Sequence, residues 1–351
     1  MRYSKHTIAI PPGMTIRDQI EIRGMRQKEF ALRMDLSEKH VSKLINGQVA
    51  LTHDVALRLE SVLGVPAEFW NNLETIYREK LTRVASEEEM SCDIELIKAI
   101  PYAKIATLGW VEKTRIAEEK VSQMRRFFGV AKLNIIDNLK IPGIVFRRTG
   151  ESLMSDYSLA VWAQKARIEA RTYSVSSINI EKLKESIPEI RKMTTKEPEF
   201  FCEKLIEIMA GCGIALVFLP HIGGSFLHGA TFYDGNKIVM GLTVRGKYAD
   251  NFWFSLFHEI HHVIAGHISH AEGMTIKEEA EADDFAKNTL IEQMAFDSFI
   301  ESHCYTKTCI IAFANRIDIS PGIVLGRLQK ENYIPYSQLN EIKEKYEIMN
   351  A

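Results

Sequence analysis

The stretch FHEIHHVIAGH, residues 257–267, places four histidines and one glutamate within one short segment. His258, Glu259 and His262 form HExxH. On a helix, positions i and i+4 differ by about 40° in azimuth, so His258 and His262 project from one face and their imidazoles can share one ion. Glu259 sits about 100° around the same helix. From there it can take a proton from water activated at the ion without being a ligand itself. A catalytic zinc needs a third protein ligand and an open position. A histidine six residues beyond His262 would supply one, but position 268 is Ile. His267 and His270 are downstream candidates, as are Glu278, Glu279, Glu281, Asp283 and Asp284 in EEAEADDFA, where helical spacing groups Glu279 with Asp283 and groups Glu278 with Glu281. Periodicity alone does not choose among these acids. His261 is expected to neighbour the site or face solvent, and His267 and His270 to lie on the surface beyond the helix end.

The elements that must position these residues are legible nearby. PEFFCEKLIEIMAGCG from residue 198 has helical spacing, and IALVFLP following it has the character of a buried strand. GATFYDGNKIVMGL (229–242) predicts two strands around an Asp234-Gly235 turn. Asp250 is placed to cap a helix running through HExxH, with Trp253 and Phe254 as its core residues. EEAEADDFAKNTLI (278–291) predicts a second helix, and two or three more follow.

A different chemistry is suggested at the other end of the chain. QKEFALRM (27–34), a turn at Asp35-Leu36, SEKHVSKLING (37–47) and HDVALRLESVLG (53–64) predict short helices. Ser37 and Thr52 are placed as caps, and Gly24, Gly47 and Gly64 as stops. TIRDQIEIRG before them spaces Ile16, Ile20 and Ile22 for one buried face. Phe30, Ala31, Met34, Leu36, Val41, Leu44 and Ile45 would face inward, which is the pattern of a helix-turn-helix. Ser37, Glu38, Lys39, His40, Ser42, Lys43 and Asn46 remain on the outer face of the second helix, where all but the acidic Glu38 are candidates for base edges and phosphates, with Gln27 suited to a phosphate. PAEFWNNLETIYREKL (66–81) starts a further helix with Pro66 in its first turn. VASEEEMSCD (84–93) is the best linker candidate, residues 82–200 look mostly helical, and IPGIVFRRT (141–149) is a possible strand.

Composition bounds these readings. The chain has 351 residues, 46% hydrophobic and 26% charged, with a formal net charge of −2. Such a chain suits two or three globular domains. Neutral bulk charge predicts no polyanion partner by itself, and the slight basic excess of the first 80 residues is weak, so a DNA-binding claim rests on pattern. No apolar run approaches the roughly eighteen residues of a membrane helix. Five scattered cysteines without a CxxC pair predict reduced thiols in a cytoplasm.

Two resemblances sharpen the picture. RQKEFALRMDLSEKHVSKLINGQVALTHDVALRLESVLGVPAEFWNNLE resembles XRE/Cro-type repressors, especially the HigA-type antitoxin branch. FWFSLFHEIHHVIAGH, EEAEADDFAKNTLI and ISPGIVLGRLQ resemble the ImmA/IrrE metallopeptidases. The second resemblance implies Zn2+ as cofactor and Glu279 as the third ligand beside His258 and His262, with Glu259 as general base. It differs from the family frame at Ile291-Glu292, where Met-Pro is common, and at His261, where a small or apolar residue is usual. The element pattern predicts a mainly α protein with a small β-sheet (α+β), and the resemblances divide it. Residues 1–82 would be the all-α helix-turn-helix domain, 83–197 a helical spacer, and 198–351 a zincin-like metallopeptidase domain. The expected activity is zinc-dependent cleavage of a repressor or antitoxin that relieves repression. The alternative is a non-proteolytic repressor or antitoxin whose zinc fold senses a signal or holds a cognate toxin. Expected partners are double-stranded operator DNA, a protein substrate or toxin, and a second copy of the chain, with no membrane.

Overall fold

The computed structural model describes residues 2–4, 6–138, 153–222, 229–243, 247–269 and 274–347. The strand expected at 141–149 and the surface position expected for His270 lie outside these residues. The chain divides into two compact units, Met1–Glu95 and Leu96–Ala351. The fold is mostly helical with small sheets, as the residue pattern predicts.

The first unit opens with a hairpin that the sequence did not suggest, β1 (Arg2–Tyr3) antiparallel to β2 (Ile8–Ala9). Five helices follow: α1 (Pro12–Ile22), α2 (Gln27–Arg33), α3 (Glu38–Ile45), α4 (His53–Leu63) and α5 (Ala67–Ile97). The Ser37 and Thr52 side chains cap α3 and α4, accepting from the backbone N–H of His40 and Val55. Phe30, Ala31, Met34, Val41, Leu44 and Ile45 are buried together with Trp70, and Leu36 packs at their edge. Ile16 and Ile20 join this core, but Ile22 is 75% exposed. Two helical steps carry a side chain about 200° around, so Ile22 cannot share the face of Ile20. The expected linker at 84–93 is also corrected, since α5 continues through it. No Gly or Pro occurs between residues 67 and 97 to interrupt that helix. Pro66 precedes α5 rather than lying within its first turn.

The second unit begins with α6 (Tyr102–Thr107), α7 (Ala117–Phe128), α8 (Leu153–Ala170), α9 (Ile180–Lys192) and α10 (Pro198–Gly211). The three-stranded sheet is β3 (Ile214–Phe218), β4 (Gly229–Asp234) and β5 (Lys237–Leu242), in the order β3-β5-β4. β5 is central, parallel to β3 and antiparallel to β4. The β4–β5 turn is Gly235-Asn236, one residue later than the spacing suggested, with Gly235 at φ +65°. Then come α11 (Ala249–Ile264), a 3-10 turn at His267–Ser269, α12 (Ile276–Leu290), α13 (Gln293–Glu301), α14 (Lys307–Arg316) and α15 (Pro321–Lys330).

Alternation along the strands gives the sheet two different neighbours. A Cβ on Gly241 would lie 2.6 Å from the Trp162 ring of α8, so that face is closed by α8. Thr231 and Gly229 point the other way, to Glu259 of α11. The core on the α11 side contains Ile214, Leu216, Met240, Trp253, Leu256 and Phe257. Asp250 does not cap α11. It lies in the first turn and pairs with Lys343 at 2.6 Å, while Tyr248 takes the cap position. Cys304 and Cys309, placed across the α13–α14 turn with Cα atoms 6.0 Å apart, form a disulfide. This corrects the expectation of five reduced thiols: a search for CxxC overlooks a pair closed by a turn. Cys92, Cys202 and Cys212 are free. Among the described residues no single helix is long and apolar enough to cross a membrane.

Candidate metal centre and nucleic-acid interface

α11 carries HExxH with its N-terminal half buried by apolar residues on nearly all sides, which fixes its rotation. The Nε2 atoms of His258 and His262 face each other at 3.0 Å. α12 packs against α11 and brings Glu279 to the same point, with its Oε2 3.5 Å from His258 Nε2. Donor atoms of His258, His262 and Glu279 all lie within 4.8 Å of one another.

The acid that periodicity left undecided is distinguished by the start of α12. Thr275 and Glu278 form a reciprocal capping box, Thr275 Oγ1 accepting from Glu278 N–H and Glu278 Oε2 accepting from Thr275 N–H. That bond turns Glu278 back to the helix start, while Glu279, one residue on, faces the histidines. Asp283, one turn below Glu279, is the orienting partner of His258, with Nδ1 and Oδ1 2.8 Å apart.

His267 is buried and sits with its Nδ1 3.0 Å from His262 Nδ1. The expected surface placement is therefore corrected. Gly266, at φ +77°, reverses the chain just past α11 and returns the next side chain to the helix it has left. Each candidate ligand histidine thus has its outer nitrogen held by a neighbour and its Nε2 turned inward, the arrangement that fixes tautomer and ring orientation at metal sites. His261 is half-buried against Phe285, with ring centroids 4.8 Å apart. Trp253 is fully buried as expected, while Phe254 is half-buried beside the His258 ring.

Electrostatics favour one positive charge here. Burial would lower the His258 pKa, but hydrogen bonds with Asp283 and Glu279 and the charge of Glu259 outweigh it and raise it. Burial and the neighbouring His258 charge push His262 the opposite way. Two converging imidazole nitrogens with a carboxylate suit a borderline divalent cation such as Zn2+ in donor type and number. The residues present therefore fit the implied metal.

Glu259 is buried on the sheet side of this group. Thr231 donates to its Oε2 at 2.6 Å, and a Cβ on Gly229 would lie 2.9 Å from its Cγ. Burial raises its pKa, partly offset by His258 and by the Thr231 bond. β4, which carries Thr231 and Gly229, is an edge of the three-stranded sheet. Sequence reasoning did not single out Thr231, although strand alternation places residues 229 and 231 on one face.

In the first unit, Gln27, Ser37, Lys39, Lys43 and Asn46 are exposed, and His40 and Ser42 half-buried. Ser37 is engaged as the cap of α3. Asn46, at its other end, donates to the Ser42 carbonyl at 2.8 Å and accepts from Arg17 at 3.3 Å. Lys39 and Lys43 leave their ammonium groups in solvent. Asp35 adopts φ +52° in the turn between α2 and α3, and Arg58 bridges the Met34 and Asp35 carbonyls at 3.0 and 3.1 Å. The turn angle is thus clamped from α4.

Residues 16–70 match a family described as helix-turn-helix. An "Uncharacterized HTH-type transcriptional regulator YddM" of Escherichia coli is 26% identical over 89 residues, which is 25% of this chain and 88% of that protein. "Virulence-associated protein I" of Dichelobacter nodosus is 29% identical over 87 residues, 24% of this chain and 78% of the relative. A solved addiction module antidote protein of a HigA family from Coxiella burnetii is 27% identical, covering 24% of this chain and 94% of its own, with a TM-score of 0.22. These similarities span about a quarter of the chain. Residues 16–70, with α3 capped, clamped and presenting its polar face to solvent, are a helix-turn-helix DNA-binding segment.

Proposed function

We propose that this chain is a DNA-binding transcriptional regulator whose second unit is a zinc-dependent endopeptidase acting on a repressor- or antitoxin-type protein. The observation that carries the peptidase reading is the convergence of His258, His262 and Glu279 beside the buried carboxylate of Glu259. His258, His262 and Glu279 would hold Zn2+, which supplies Lewis acidity to a carbonyl and acidifies water when bound. Glu259 takes the proton of the attacking water and delivers it to the leaving amine. Thr231 holds the other side of that carboxylate, so its reactive oxygen keeps one direction. The edge of β4 accepts an extended substrate segment by backbone hydrogen bonding, which makes few demands on sequence. In this reading the chain is a cytoplasmic homodimer and its product is a relieved promoter.

The regulator reading is supported by the helix-turn-helix match and by the relative described as a transcriptional regulator. Lys39 and Lys43 meet phosphates, and Ser37, His40, Ser42 and Asn46 line the groove side of α3, with Gln27 on the flanking backbone. Lys43→Ala is expected to weaken binding to the operator upstream of its own gene and to reduce the slope of log K against log salt by about one. Binding and slope equal to wild type would reject this groove face.

For the metal, the purified chain is expected to keep one tightly held zinc after dialysis, and Glu279→Ala to lower the retention of that zinc at least tenfold without changing the helical signal. Full retention of that tightly held zinc in Glu279→Ala would sink the triad. Wild-type protein is then incubated with the repressor or antitoxin encoded beside it. A zinc-loaded chain that leaves both that protein and itself intact under inducing conditions would favour a sensor or toxin-holding role instead.

A further inference from the structure

A second cluster lies one turn from the first. His261 of α11, His267 of the 3-10 turn and Glu281 of α12 each offer a donor atom, and these atoms lie within 4.8 Å of one another. His267 is buried, His261 half-buried and Glu281 exposed. The Nδ1 of His261 is itself buried, with no hydrogen-bond partner. A buried polar atom in that condition calls for a ligand. The His261 ring is fixed between Phe285 and His267, with centroids 4.8 and 5.6 Å away. Among the described residues, the ion pair Glu281 makes is a long, exposed one with Lys277 at 3.6 Å. Two imidazoles and one carboxylate, reached from solvent through Glu281, are again a donor set for a borderline divalent cation.

We propose that His261, His267 and Glu281 form a second divalent-cation site, and that filling it weakens the first through the hydrogen bond between His262 and His267. The coupling, though not the second site itself, rests on the metal reading of His258, His262 and Glu279.

The coupling follows from counting ring protons. The two Nδ1 atoms are 3.0 Å apart, so one proton lies between them. A neutral imidazole carries one proton on one of its two nitrogens. With that proton on His262 Nδ1, the Nε2 of His262 keeps a free lone pair for the first site. His267 then accepts at Nδ1 and carries its own proton on Nε2, leaving it no nitrogen for a second cation. With the proton on His267 Nδ1, the Nε2 of His267 is freed. His262 must then be protonated at Nε2, the atom that faces His258. A cation on His267 Nδ1 instead breaks the bond outright and strands the buried N–H of His262. Every arrangement that serves one site is unfavourable for the other, and by linkage the penalty is equal in both directions.

The test uses the full chain, stripped of metal and titrated with zinc chloride against a chromophoric chelator. Wild type is expected to bind two zinc ions, one more tightly. His261→Ala and Glu281→Ala should each remove the weaker event and keep the tighter one. Glu279→Ala should remove the tighter event, and the remaining zinc should bind on the order of tenfold more tightly than the weaker zinc of wild type. Thermal melts confirm that each variant is folded. A single zinc per wild-type chain, or a weaker event that survives both His261→Ala and Glu281→Ala, overturns the second site. Unchanged affinity of the remaining zinc in Glu279→Ala overturns the coupling. Tight zinc that persists in Glu279→Ala overturns the first-site reading and the coupling with it, while the two second-site variants still decide the second site.

Discussion

Replacing Glu259 with Gln is expected to leave zinc content unchanged and to lower the rate of substrate cleavage by about 10²–10⁴-fold. The substitution keeps the shape of a side chain that is buried and closely flanked by Gly229, so little repacking is needed. The amide oxygen can still accept from Thr231, which holds the carboxylate in place at 2.6 Å. What is lost is basicity alone. Burial disfavours the charge of Glu259 and raises its pKa, so Gln at this position should not destabilise the fold and removes an unfavourable buried charge. The measurements are zinc by elemental analysis, melting temperature, and initial cleavage rate at saturating substrate. A variant that cleaves at the wild-type rate would show that Glu259 is not the base, and one that loses zinc would show that it is a ligand.

The second large effect is expected at the DNA-binding end. Ala is normally the better residue inside a helix by about 0.5–1 kcal/mol relative to Gly. At Gly13 in α1 the sign should reverse, and Gly13→Ala should destabilise the first unit by about 1–3 kcal/mol. A Cβ there would overlap the backbone carbonyl of Ile45, at the end of α3. Backbone cannot swing aside as a side-chain tip can, so α1 must move away from α3. Operator affinity should fall together with stability, because α3 presents Lys39 and Lys43. Denaturant-dependent hydrogen exchange of the buried amides of α1 and α3 in the full chain checks the first part, and operator titration the second. A Gly13→Ala variant more stable than wild type would mean that the helices do not approach so closely.

The helix-turn-helix was legible because its signals are local: caps at Ser37 and Thr52, and apolar spacing from Phe30 to Ile45. Its errors were also local. Counting isoleucines puts Ile22 on the buried face, whereas degrees of rotation put it in solvent. The acidic run at 84–93 looked like a linker, yet charge does not stop a helix when no Gly or Pro does. At the candidate metal centre, His258 and His262 were legible from the turn of one helix, and Glu259 followed from the same rotation. Glu279 was not separable from Glu278 by period, since that choice depends on the hydrogen bonds at the helix start. The burial of His267 depends on where a chain reversal at Gly266 sends the next residue, and Thr231 reaches Glu259 from another element. Such long-range placement leaves only faint traces in sequence.

The N-terminal hairpin also dictates where this protein can be divided in the laboratory. Ser4 and Thr7 each donate to the Glu87 carboxylate at 2.7 Å, and the backbone N–H of His6 does so at 3.2 Å. These bonds hold the Glu87 pKa below the ordinary carboxylate range. The attachment is therefore intact above that range and released as acid protonates the carboxylate. Glu87 lies beyond residues 16–70, the helix-turn-helix match, so a fragment trimmed to residues 1–82 would discard the anchor of its own first strands. A crystallisation or footprinting fragment should instead extend to Glu95, where the unit itself ends.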